Sequence, residues 1–356
     1  MDSARWDRTL WVAAGLLCLI SLVSLASACA TLNPALVGRQ TIWVALGIVL
    51  SVAAAGVPYT RWLDLSVFLY LGVLLLLALV ELGGTMKLGA VRWLTVFGVS
   101  VQPSELAKLA TCCVLARILA NQSGPLPLRQ VMLSAIVAGA PAMLIFLQPD
   151  LGSSSILAAV WFGAVLTAGL SRRHLAAITI GGAAFLPLAW HLLKDYQRTR
   201  LLVFINPHED PLGAGYTIIQ SQIAIGSGGL LGRGYMSGTQ NQLNFLPERH
   251  ADFLYSVIGE EWGFAGAALV VVLFGILLWR GMHIALSVSD SQGRLLAVGL
   301  VCWIGYQAVV NMGMVMGLLP VVGVPLPLVS YGGSAMVTTW LALGILQGLS
   351  RFGTRF

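Results

Sequence analysis

Ten apolar stretches divide this chain of 356 residues, over 9–30, 41–57, 65–82, 103–120, 131–147, 152–170, 174–193, 253–279, 295–319 and 334–349. Each is near the ~20 residues that carry a helix across the ~30 Å hydrocarbon core of a bilayer. In lipid, backbone polar groups must be satisfied within the spanning structure, which leaves helices or a closed barrel. Segments of this length exclude barrel strands. A water-soluble fold is excluded as well: 10% of residues are charged and 58% hydrophobic, whereas a soluble surface takes charge at about a quarter of positions. The expected fold is an all-α integral membrane protein, a polytopic bundle of about ten transmembrane helices. It forms one domain over 1–356 with a long extracellular loop at 194–251, between helices seven and eight. The first stretch ends in small residues, as a secretory leader does, but it exceeds the about 7–15 apolar residues of a leader and is read as the first span.

An even number of spans puts both termini on one side. On that assumption eleven arginines fall inside (Arg5, Arg8, Arg61, Arg117, Arg129, Arg172, Arg173, Arg280, Arg294, Arg351 and Arg355), whereas the short outer segments hold Arg39, Lys87, Arg92 and Lys108. Short cytoplasmic segments carry the basic excess, so both termini are expected in the cytoplasm. The net charge of +6 is dispersed without a basic tract and does not point to nucleic acid. The five cysteines lie in apolar stretches without CxxC spacing, and His174, His191, His208, His250 and His283 are scattered. Neither a disulfide framework nor a metal site is expected.

Ionisable residues at membrane depth are costly and mark candidate sites. Glu105 and Lys108 follow Pro103 at the outer start of the fourth span, and their spacing of three places them on one helix face as a pair. The pair serves a site, or it merely neutralises charge beside lipid. Asp150 precedes Ser153, Ser154 and Ser155 as a helix N-cap does. Asp252 stands where the polar loop enters the eighth span, as a cap or as a general base, with Ser256 and Glu260 near the same face. The run 226–234, rich in glycine, lacks the strand and soluble helix of a nucleotide loop, although its N–H groups remain able to approach a phosphate. The segment 317–334 holds Pro320, Pro325 and Pro327 before Ser330 and Tyr331 and is not a straight helix; it is read as an outer wall of a site or a buried turn.

Six motifs resemble the SEDS family (shape, elongation, division and sporulation). They are GAVRW at 89–93, QPSELAKLA at 102–110, QPDLGSS at 148–154, DPLGAGYTIIQSQIAIGSGGLLGRG at 210–234, FLPERHADFLYSVIGEEWGF at 245–264 and GLLPVVGVPLPLVSYGGSA at 317–335. INPHEDPLGAGY at 205–216 and GTQNQLNFLPERH at 238–250 are more similar to its elongation branch, RodA, than to its division branch, FtsW. The resemblance implies a peptidoglycan glycosyltransferase that polymerises lipid II during elongation and rod-shape maintenance. It would act at the outer face of the bacterial cytoplasmic (inner) membrane, beside a class B penicillin-binding transpeptidase and other elongation-complex proteins. It assigns Asp252 as the catalytic residue and Glu105 and Lys108 as the supporting pair. Lys108, Arg198, Arg200 and Arg233 are candidates for binding the diphosphate, and Ser256, Glu260, Ser330 and Tyr331 for support around the site. No cofactor is evident, and a divalent cation remains possible. The partner helix is expected on spans eight and nine, where Gly259, Gly263, Gly266, Gly299 and Gly305 permit close approach. The alternatives are a lipid II flippase, which calls for midplane charges and repeats, and a non-catalytic scaffold for the transpeptidase.

Overall fold

The computed structural model describes residues 6–353 except 31–32, 84, 88–89, 97–98, 121–123, 194, 208–209, 212 and 214. His208, Arg5 and Arg355 lie outside the described residues. Ten helices of 17 residues or more are found among them, one for each expected span: α1 (Arg8–Cys29), α2 (Ala35–Ala55), α4 (Ser66–Gly83), α5 (Pro103–Leu119), α6 (Leu128–Leu147), α7 (Leu151–Thr167), α8 (Arg172–Leu192), α12 (Leu254–Ser287), α13 (Ser291–Val315) and α14 (Gly333–Phe352). Between them lie the short α3 (Tyr59–Asp64), α9 (Asp195–Ile205), α10 (Tyr216–Ser227) and α11 (Thr239–Gln242). This is a multi-pass membrane protein. Five of the long helices are long and apolar enough to cross a bilayer on composition alone, and α4 and α7 are shorter apolar helices.

Aspartates start three spans. Asp7, Asp150 and Asp290 accept hydrogen bonds from the backbone N–H of Leu10, Ser153 and Gly293, each at 3.0 Å, and so satisfy donors that a helix start leaves free. α5 and α13 run through the middle of the bundle: α5 packs on α4, α6, α7 and α13, and α13 also packs on α7 and α12. α14 lies along α2, and α1 along α12. The Trp303 and Trp340 side chains are the largest apolar groups fully enclosed there.

One connection departs from the all-helical expectation. Between α4 and α5 lies a three-stranded antiparallel sheet, β1 (Thr85–Lys87), β2 (Ala90–Val96) and β3 (Val99–Val101), in the order β1-β2-β3, with Leu94 opposite Val101 and Thr95 opposite Ser100. β-branched residues at 91, 95, 96, 99 and 101 favour such a pleated surface.

The apolar piece at 216–225 is helical and forms most of α10. The glycine run that follows is not a phosphate loop. α12 breaks at Gly263 (φ 67°, ψ −160°), and the run packs into the break. Phe264 and Ala265 donate their N–H to the carbonyls of Gly229 and Leu230 at 2.9 and 3.0 Å, while Arg233 and Gly234 donate theirs to Glu260 and Glu261 at 3.0 and 3.1 Å. Backbone groups freed by the break at membrane depth are thereby satisfied inside the protein. A Cβ at Gly263 would stand 2.3 Å from the Gly232 nitrogen, and one at Gly232 2.1 Å from the Glu261 oxygen, so neither position admits a side chain.

The glycines expected to receive a partner helix have neighbours within the chain, four of them on other segments and Gly266 on its own helix. Gly259 faces Ile225, Gly263 the 230–232 backbone, Gly266 Trp262, Gly299 Cys112 and Gly305 Leu278.

Candidate active site

The end of the bundle opposite the termini encloses a cavity of about 550 Å³. Its charged lining is Arg92 from β2, Arg200 from α9, and Glu248 and Asp252 from the segment before α12; Val203, Ile218, Phe253 and Val321 supply apolar surface. Asp252 is not a cap. The position before the first residue of α12 is Phe253, which makes no side-chain capping bond, and the Asp252 carboxylate lines the cavity instead. The residue is half-buried, enclosed by protein except where it faces that space. Burial lifts its carboxyl from 3.8 to about 6; Glu248 and Asp150 add to the rise, and Arg200 and Arg92 oppose it. Gly323, in the left-handed region at φ 68°, is the surface beside it: a Cβ there would lie 3.4 Å from Asp252 Oδ2.

The wall that carries Gly323 is the proline-rich 317–332 segment, non-helical as its prolines require. Gln40 Nε2 donates to the Ser330 carbonyl at 3.1 Å, and Ser330 Oγ accepts the N–H of Leu326 at 2.9 Å. Tyr331 donates its backbone N–H to the His250 carbonyl at 2.9 Å, and the two rings stack tilted at 5.8 Å. Ser330 therefore shapes the wall, and Tyr331 ties it to His250, two residues before Asp252. Burial also lowers the His250 imidazole from its usual value, against the pull of Glu248 at 3.7 Å.

The remaining candidates fall elsewhere. Lys108 Nζ lies 2.6 Å from Glu105 Oε2, donates to Gln307 Oε1 at 2.8 Å and sits 5.0 Å from the Trp303 ring centre. Both charged side chains are at most 2% exposed, and the pair is enclosed between α5 and α13 away from the cavity lining. Arg198 turns back to the carbonyls of Trp190 and His191 and to Asp195. Arg233 donates to the Ser227 carbonyl and to Thr239 Oγ1 and braces the glycine run. Of the four expected diphosphate ligands, Arg200 alone lines the cavity. Ser256 is fully buried against Ser221 at 2.8 Å. Glu260 accepts the N–H of Gln240 and Asn241 at 2.8 and 3.2 Å, closing the start of α11. Both fix the loop rather than face the cavity.

Three contributors were not singled out in the sequence. Arg92, counted from the sequence only among the outer basic residues, lines the cavity from β2; its Nε donates to the Gln148 carbonyl at 3.1 Å and its Nη2 to that of Pro149. Gln307 and Asn311, two buried amides on α13, hold the wall. Their trace in the sequence is faint, two neutral amides four residues apart that barely change the hydropathy of the span.

A family model described as cell cycle protein, covering FtsW, RodA and SpoVE, matches residues 6–355. The chain belongs to this family. The SEDS resemblance read from the motifs thus extends along the whole bundle. Peptidoglycan glycosyltransferase MrdB of Escherichia coli K12 is 42% identical over 312 residues, 87% of this chain and 84% of that one. A probable peptidoglycan glycosyltransferase FtsW of Geobacter metallireducens is 39% identical over 325 residues, 88% and 84% of the two chains. Among solved structures, a chain from a peptidoglycan synthase complex that coordinates polymerization and crosslinking superposes with a TM-score of 0.86 at 34% identity, covering 98% of both chains. The rod shape determining protein RodA of Thermus thermophilus gives 0.75 at 31% identity over 99% of this chain and 98% of that one.

Proposed function

We propose that this SEDS protein is a peptidoglycan glycosyltransferase of the elongation type, polymerising lipid II at the outer face of the bacterial cytoplasmic membrane. The observation that carries the reading is one carboxylate, Asp252, facing a cavity that also holds two arginines. The reaction needs both. An acceptor sugar hydroxyl attacks the anomeric carbon of the donor as the bond to its diphosphate breaks. One displacement inverts the carbon, the hydroxyl proton passes to Asp252 Oδ2, and undecaprenyl diphosphate leaves with the bonding electron pair. A base raised to about 6 is ionised at neutral pH yet basic enough to take that proton in the transition state. Arg200 and Arg92 face the same space and suit the charge that gathers on the departing diphosphate. Among the described residues no group of three or more His, Cys, Asp or Glu is placed to hold a metal ion.

Glycan strands made here must be crosslinked by another protein, and we assign that role to a class B penicillin-binding transpeptidase within the elongation complex. The likeness to a chain of a synthase complex supports the pairing.

Purified protein incubated with lipid II, with and without a cognate transpeptidase, tests the reading. Glycan strands are expected from the wild type. A positioned base contributes about 10² to 10⁴ in rate, so Asp252→Asn is expected to lose at least about a hundredfold. Movement of lipid II across vesicles without any new glycosidic bond would replace the enzyme by a flippase, and an inert protein that stimulates the transpeptidase would make it a scaffold.

A further inference from the structure

α13 carries two fully buried amides, Gln307 and Asn311, one turn apart on the same face. Asn311 Nδ2 donates to the backbone carbonyl of Asp252 at 2.9 Å and to that of Val324 at 2.7 Å. Both partners accept only, so the amide nitrogen has to face them. Gln307 Nε2 donates to the Pro325 carbonyl at 2.9 Å, while its Oε1 accepts Lys108 Nζ and Trp303 Nε1 at 2.8 and 2.9 Å. The two amides thus hold consecutive carbonyls of the cavity wall, and Asn311 joins that wall to the backbone of the residue bearing the carboxylate. Gly323, the neighbour of Val324, is where wall and carboxylate meet.

We propose that Asn311 is a positioning residue for glycosyl transfer: by clamping the Asp252 backbone to the 323–325 wall it sets where the carboxylate stands and keeps water from its Gly323 side. The proposal rests on the reading of Asp252 as the base. Charged groups face Asp252 from every other side: Glu248 on its own segment, Arg200 on α9, Arg92 on β2 and Asp150 before α7. None of them is on α13. Loosening the clamp therefore alters the solvation of Asp252 and leaves the surrounding charges in place. Better solvation favours the ionised form, so the carboxyl moves toward the ordinary carboxylate value.

The test uses the full chain in detergent, as wild type, Asn311→Leu, which removes both donors at similar volume, and Asn311→Ser, which keeps one. Carbodiimide modifies a protonated carboxyl, so labelling of Asp252 against pH, read by peptide mass spectrometry, reports its titration without substrate. The wild-type midpoint is expected near pH 6, with Asn311→Leu moved about one unit toward acid and Asn311→Ser between them. With lipid II, Asn311→Leu is expected to lose at least about tenfold in kcat with KM within about twofold, since a 1 Å misplacement of a reacting group costs up to about 10²-fold. A folded variant with an unmoved midpoint and kcat within twofold of wild type overturns the proposal, because a purely structural bond would cost stability and leave both readouts alone. If Asn311→Leu does not fold, Asn311→Ser carries both measurements. Wild-type protein that makes no glycan defeats the functional reading instead, and the carbodiimide titration still decides the clamp.

Discussion

Asp252 has to be an anion where anions are disfavoured, and this conflict gives it two measurable signatures. Its carboxyl is raised to about 6 in the folded chain, and a base works when deprotonated. The rate of polymerisation should therefore climb with pH and level off above about 6, and Asp252→Asn should lose that limb along with at least about a hundredfold in rate. Stability runs the other way. Between 3.8 and about 6 the native state binds the proton that the unfolded chain has released, so this group's contribution to stability falls as pH rises through that window. At pH 7.5 Asp252→Asn should melt in detergent no lower than wild type, a result that separates lost chemistry from lost folding. The Glu105–Lys108 pair makes the opposite case. It is fully enclosed, and removing one member of a buried pair strands the other at a cost of about 3–5 kcal/mol, whereas replacing both with neutral groups of similar shape is often near neutral. Lys108→Met should lose stability and activity together, and the double variant Glu105→Gln/Lys108→Met should melt closer to wild type than the single one. A double variant as unstable as the single would mean that Lys108 is needed for more than its partner, with the bond to Gln307 the next to test. Charges in apolar stretches stand out in a sequence, which is why Asp252, Glu105 and Lys108 were legible there. Gln307 and Asn311 were not, because a neutral amide hardly disturbs a span's hydropathy. Which charge faces the cavity depended on chain paths that spacing does not specify, and so Arg198, Arg233 and Lys108 were grouped with Arg200.

At the level of elements, the closest dependence is between the break in α12 and the glycine run that fills it. The helices themselves were legible because a span has to be about 20 apolar residues long, and α5, for example, starts at Pro103 where the sequence placed it. The break was not: Gly263 reads as one of several small residues on a packing face until its φ of 67° is seen. Gly263→Ala forces a side chain into the left-handed region, a strain of order 1–3 kcal/mol, and drives it against the 230–232 backbone. We expect a loss of several degrees in melting temperature and faster tryptic cleavage at Arg233, whose brace depends on the run staying seated. Gly232→Ala should behave alike. Gly226→Ala, with nothing within 4 Å of its added Cβ, should leave both readouts at wild-type values. If Gly263→Ala also does so, the run is not what supports the break. The small sheet of β1, β2 and β3 teaches a related lesson: Arg92 lines the cavity from β2, and the hydropathy that marks the spans does not specify a strand between two of them.

Across the whole molecule the two ends of the bundle differ in how many arginines their short connections carry. At the end with the termini, contacts are made by long cationic side chains: Arg280 Nη2 bridges to Asp7 at 2.7 Å, Arg351 reaches the Ala55 carbonyl at 3.0 Å and Arg117 that of Leu63 at 3.2 Å. At the other end Arg92, Arg198 and Arg233 reach carbonyls too, beside contacts among neutral groups such as Asn241 Nδ2 with Ser27 Oγ at 3.0 Å and the Gln102 N–H with Ser334 Oγ at 3.1 Å. Nine described arginines (Arg8, Arg61, Arg117, Arg129, Arg172, Arg173, Arg280, Arg294 and Arg351) belong to the termini's end. Because short basic segments stay in the cytoplasm, we propose that the cavity opens outside, where lipid II is polymerised and a transpeptidase acts. Single cysteines give the test. Ser289, between α12 and α13, and Thr199, on α9, are exposed positions at opposite ends, whereas four of the five native cysteines are buried and Cys302 is half-buried. An impermeant maleimide added to intact spheroplasts should label Thr199→Cys and spare Ser289→Cys, with labelling of the latter appearing only after permeabilisation and little signal from the parent protein. The reverse pattern would turn Asp252 and the arginines around it toward the cytoplasm, where an enzyme of exported lipid II has no substrate, and would end the polymerase reading together with the partner assigned to it.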